Sequence, residues 1–80
     1  MMTHLEATLT ILLGNLDQSS RLAGYYNHKV NVKYTKKDDA NLSQFRLYSL
    51  NLIEVIRELS LGRITIKEAE DRVPDFPKEH

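Results

Sequence analysis

Between residues 25 and 37 the chain sets three phenol rings, Tyr25, Tyr26 and Tyr34, among four ammonium groups, Lys29, Lys33, Lys36 and Lys37, with the imidazole of His28 beside them. Aromatic faces stack on unpaired bases while lysines neutralise phosphates, so this mixture is of the kind that holds single-stranded nucleic acid. Asp38 and Asp39 follow directly and dilute the field, and over the whole chain 11 basic residues meet 11 acidic ones. A protein built chiefly to coat nucleic acid or an anionic membrane carries a clear positive excess. Lysines decorating a solvated loop explain the same residues. A small nucleic-acid-binding regulatory factor is therefore the second of two functional readings.

The residues that serve catalysis elsewhere do not assemble here by spacing. Glu54 and Glu58 are four apart with Arg57 beside them, the ordinary arrangement of a wet helix surface, and acid–base work would need a cleft to perturb them. His4, His28 and His80 are scattered, and the Asp38-Asp39 pair lacks the glycine and terminal glutamate of a calcium loop. There is no cysteine, which removes disulfides and thiolate metal sites. No serine or lysine has an identifiable activating base. The expectation is a protein with no enzymatic activity, no metal, no cofactor and no small-molecule substrate.

What would position any functional side chain is a pair of helices. Leu9, Leu12, Leu16, Ser19, Ala23 and Tyr26 step by three and four residues and so share one helical face. Leu59, Ile56, Leu52, Ser49, Phe45 and Leu42 do the same in reverse order, and the two stripes pair without a slip. The small Ala23 meets the large Phe45, and the serines meet each other. This predicts an all-α fold, an antiparallel hairpin turning near Tyr34.

Local signals set the boundaries. Thr3 and Glu6 form a capping box at the start of a first helix over about 3–27, with Leu5 and Leu13 joining its apolar face. From His28 to Asp39 the helical period gives way to alternation of Val30, Val32 and Tyr34 with polar residues, the period of a strand. A lone strand has no partner in the chain, so 28–40 reads as a flexible connector. Asn41 and Gln44, after two aspartates, open a second helix over about 41–61. Gly62 stops it. Thr65 and Glu68 open a short third helix over about 65–73, closed by Pro74, and residues 75–80 read as a mobile tail. The phrase Ile64–Val73 resembles the first helix of excisionase-type helix-turn-helix domains over about ten residues. No recognition helix follows Pro74, so the resemblance implies no DNA-binding role.

Eighty residues make one small helical domain, near the size at which a single core is marginal. The run Leu9–Leu13 is too short to cross a bilayer and the start of the chain lacks the order of a signal peptide, so the sequence suggests a cytoplasmic protein with no membrane partner. Ile11, Leu22 and Tyr25 on the first helix, and Leu47 and Leu50 on the second, project away from the paired stripes. A hairpin buries one stripe per helix, so these residues call for a cover. The first functional reading is thus protein–protein interaction, with those five as apolar contacts and Arg21 and Arg46 at the edge. Self-association into a homodimeric helical bundle is favoured over a foreign partner, because most soluble oligomers are symmetric. By architecture alone the build is similar to that of small bacterial or phage adaptors, inhibitors, antitoxin-like factors and co-chaperones.

Overall fold

A threonine opens each helix in the computed structural model, which describes residues 1–80. Thr3 caps α1 (His4–Val32), Thr35 caps α2 (Lys36–Ser60) and Thr65 caps α3 (Ile66–Arg72), each hydroxyl accepting from the backbone N–H three residues on. Thr3 and Thr65 complete capping boxes with Glu6 and Glu68. The box holds the Glu68 carboxyl below its ordinary range, first through the Thr65 backbone N–H. At the other end of α2, Gly62 takes the left-handed conformation (φ 72°), a region that favours glycine. There the Gly62 and Arg63 N–H groups donate to the carbonyls of Leu59 (3.1 Å) and Glu58 (3.0 Å), a paired C-terminal closure that satisfies otherwise orphaned acceptors.

The protein is all-α, two long antiparallel helices with a short third. The mirrored stripes meet as their spacing requires. Ser19 and Ser49 touch hydroxyl to hydroxyl at 2.7 Å, and Tyr26 stacks on Phe45 with ring centroids 6.0 Å apart and planes 5° from parallel. One core cluster gathers Leu12, Tyr48, Leu52, Val55 and Leu59 with Ile64 and Ala69 from the α3 region. A second, toward the turn, gathers Tyr26, Leu42 and Phe45.

Several sequence expectations need correction. The connector read at 28–40 shrinks to Lys33, Tyr34 and Thr35, because both helices continue into it. Val30 packs on the Tyr26 cluster, and the Lys29 ammonium sits 3.3 Å from the Asp38 carboxylate. Tertiary contacts thus override the strand-like alternation. Asn41 is accordingly no cap: it lies inside α2, buried, and accepts from Gln44 Nε2 at 3.2 Å. The tail read as mobile at 75–80 instead lies on the hairpin, with the Phe76 ring centroid 5.0 Å from that of Tyr48 and 5.8 Å from that of Phe45. Finally, Leu5 and Leu13, placed by spacing on the apolar face of the first helix, are exposed.

Leu52 is fully buried at the centre of the larger cluster, so Leu52→Ala should destabilise the fold by about 2–5 kcal/mol in thermal or urea unfolding. A Cβ built on Gly14 meets nothing within 4 Å. Gly14→Ala should therefore raise stability by about 1 kcal/mol, seen as a rise in Tm of several degrees.

Candidate functional site

The two long helices leave a groove on each side of their seam, and only one is filled. On the filled side α3 packs by Ala69 against the lower half of the hairpin, and Pro74–His80 continues along the upper half. There Phe76 lies against both clusters. The Gln44 amide donates to the Lys78 carbonyl at 2.6 Å, and the His80 N–H donates to Asn41 Oδ1 at 2.8 Å. The Tyr26 hydroxyl donates to the Glu79 carboxylate. That bond, with burial behind it, pushes the Tyr26 phenol up to about 12.

The opposite groove stays open. Ser20 and Ala23 on α1 and Arg46, Ser49 and Leu50 on α2 line a shallow hollow of about 340 Å³. Helical spacing continues this face along α1 through Leu9, Leu13, Leu16 and Asp17, and along α2 through Ile53, Ile56 and Arg57. Leu9, Leu16 and Ile56 are half-buried against the core. Leu13, Leu50 and Ile53 are 51%, 64% and 47% exposed. Across its upper end Arg46 Nη2 donates to Asn27 Oδ1 at 3.1 Å, tying the helices together.

The residues singled out from sequence do not form one patch. Leu50 and Arg46 lie on the open face. Leu47 borders Pro74 and Pro77 on the filled side. Ile11 and Tyr25 are exposed on the flank of α1 that carries Lys29, which adjoins Glu79 and His80. Leu22 is half-buried against the Tyr26 cluster and is in part a core residue. Arg21 pairs with Asp17 at 3.0 Å on the wet surface. Leu13 and Ile53 were missed as surface residues. Each directly follows a core leucine, Leu12 or Leu52, so the signal that could have found them was a stripe wider than two helices can cover.

Of the aromatic and basic set, Lys33, Tyr34, Lys36 and Lys37 collect at the turn, and Tyr34 is exposed. Lys29 is engaged instead. Its ammonium pairs with Asp38, which holds its pKa above the ordinary lysine value, and lies 5.4 Å from the Tyr25 ring centroid. The Tyr34 hydroxyl lies 3.5 Å from Asp39. The turn thus places acids among its cations, which weakens any field it could present to phosphate. No three histidine, aspartate or glutamate side chains gather where they could hold a metal ion. No helix is long and apolar enough to cross a membrane. No known protein family, curated protein or solved structure matches this chain.

The raised Tyr26 pKa ties alkaline stability to the filled groove. The folded state keeps a proton that the unfolded state releases near pH 10, so the Tyr26–Glu79 contribution is complete below about pH 10 and is lost as pH rises towards about 12. Tyr26→Phe should flatten this alkaline decline when stability is followed against pH by urea unfolding.

Proposed function

We propose that this chain is a non-enzymatic helical binding protein and that its first partner is a second copy of itself, two hairpins closing a four-helix bundle through their open faces. The observation that carries the reading is the uncovered row of Leu13, Leu50 and Ile53 beside half-buried Leu9, Leu16 and Ile56. Positions spaced by three and four on both helices of an antiparallel pair are those that fill the centre of a helical bundle. The rim supports a twofold arrangement. The Asp17–Arg21 pair flanks the face on α1, and Arg46 and Arg57 flank it on α2. Laying α1 of one copy on α2 of the other brings Asp17 near an arginine of the partner, twice, as an edge contact beside the apolar row. The molecule measures 46 × 22 × 19 Å, enough for a broad face to supply the roughly 800 Å² per partner of a standard interface. Activity in this reading is association itself, as in an adaptor, an inhibitor, an antitoxin-like factor or a co-chaperone.

Light scattering over a wide concentration range should return twice the chain mass. Leu13→Lys and Ile53→Lys should each lower that mass to one chain while helical circular dichroism is retained. Ile11→Lys, on a different flank, should leave the dimer intact. A wild-type protein that stays monomeric at high concentration overturns the reading, as does a lysine at position 53 that changes nothing.

A further inference from the structure

Pro74–His80 meets the hairpin as a bound peptide would. It forms no helix or strand of its own and makes no backbone-to-backbone hydrogen bond with the helices. Side chains hold it. Phe76 enters an aromatic seat made by Phe45 and Tyr48. The amides of Gln44 and Asn41 read its backbone at the Lys78 carbonyl and the His80 N–H. The Tyr26 hydroxyl takes the Glu79 carboxylate.

Asn41 marks this groove as built to receive polar backbone. It is 1% exposed, inside a helix where asparagine is a poor choice, and its carbonyl oxygen accepts from both Gln44 and His80. Every extended peptide offers the carbonyl and N–H that these amides recognise. Only Phe76 and Glu79 contribute side-chain recognition, and Pro77 between them favours the extended backbone. Beside Glu79 and His80 lies a cleft of about 460 Å³, lined also by Lys29, Thr35, Lys37 and Asp38. Lys29 and Asp38 pair with each other at 3.3 Å, which leaves the Lys37 ammonium to meet a carboxylate placed there.

We propose that this groove is a recognition site for an extended segment of another protein, with an aromatic residue, then proline, and an acidic residue two positions after the proline, and that Pro74–His80 is its resident and displaceable occupant. Three residues, Val73 to Asp75, separate α3 from Phe76, so the resident segment acts at an effective concentration on the order of millimolar. A partner segment displaces it by adding a contact to Lys37 in that cleft. The site lies across the hairpin from the dimer face. Its failure would show in peptide binding, and failure of the dimer reading would show in molar mass.

The probe is a fluorescein-labelled peptide of sequence Pro-Asp-Phe-Pro-Lys-Glu-His, followed by anisotropy against the full chain. Phe76→Ala, which unseats the resident segment, should bind the probe at least about tenfold tighter than wild type. Adding Gln44→Ala or Tyr26→Phe to that variant should weaken binding about tenfold. A probe with alanine in place of its phenylalanine should bind poorly. If Phe76→Ala keeps its helical content yet binds no tighter than wild type, or if the alanine probe binds equally well, the proposal is overturned. If Phe76→Ala loses its helices, Glu79→Gln carries the test: tighter probe binding than wild type supports the groove, and unchanged binding overturns it.

Discussion

Halfway along the hairpin Ser19 donates its proton to the Leu16 carbonyl at 3.0 Å, which leaves Ser49 to donate to Ser19 Oγ at 2.7 Å. Ser19 is fully buried, so this small chain of hydrogen bonds favours one register. A shift of one helical turn would place an apolar side chain against the Ser19 hydroxyl and break its bond to Ser49, a loss of about 0.5–1.5 kcal/mol. The two small residues also allow the helices to approach closely at this level. From that point the pairs follow in both directions. Leucines close the hairpin below, and Ala23 makes room above for Phe45, on which Tyr26 can then lie flat.

The aromatic stack is what connects fold to site. With Phe45 and Tyr26 parallel and offset, Tyr48 one turn on turns its ring to the filled side, and the edge formed by Phe45 and Tyr48 receives a third ring. Burial also raises the Tyr48 phenol above its ordinary pKa, so this wall, neutral at pH 7 in any case, resists ionisation at alkaline pH. The same register brings Asn41 and Gln44 level with the Tyr26 hydroxyl. One row of side chains on α2 and one phenol on α1 therefore make a site able to grip a backbone and an acid together.

The paired stripes were legible in the sequence because a period of three and four sustained over many residues arises when one face of a helix is buried along its length. The stretch after Asn27 was not. Val30, Val32 and Tyr34 alternate as a strand would, and what supports the helical segment is contact across the turn with α2, notably Lys29 with Asp38 and Val30 with the cluster of Tyr26, Leu42 and Phe45. The segment after Pro74 was illegible for a related reason. It has no period at all, and its partners lie more than thirty positions away, so only the folded hairpin reveals that Phe76 has a seat. The exposure of Leu13 and Ile53 was hidden for a different reason. They look like core residues because they adjoin core residues, and only the geometry of two helices shows that the seam is already full.

The formal charge of zero holds helix by helix as well, with Glu6 and Asp17 against Arg21 and Lys29 on α1 and four acids against four bases on α2, so what matters is where on each helix the charges lie. Along the open face Asp17 belongs to α1 and Arg46 and Arg57 to α2. At the turn the cations Lys33, Lys36 and Lys37 stand beside Asp38 and Asp39. Sorting of the first kind is lost on a monomer, where the rim charges face water and contribute little. It would gain meaning in the proposed dimer, where Asp17 of one copy comes near an arginine on α2 of the other. The two proposed surfaces occupy opposite sides of the same two helices, and neither needs to move for the other to be filled. What they share is the register at Ser19 and Ser49, so a change there would disturb both at once, whereas changes at Leu13 or Phe76 act on one face each.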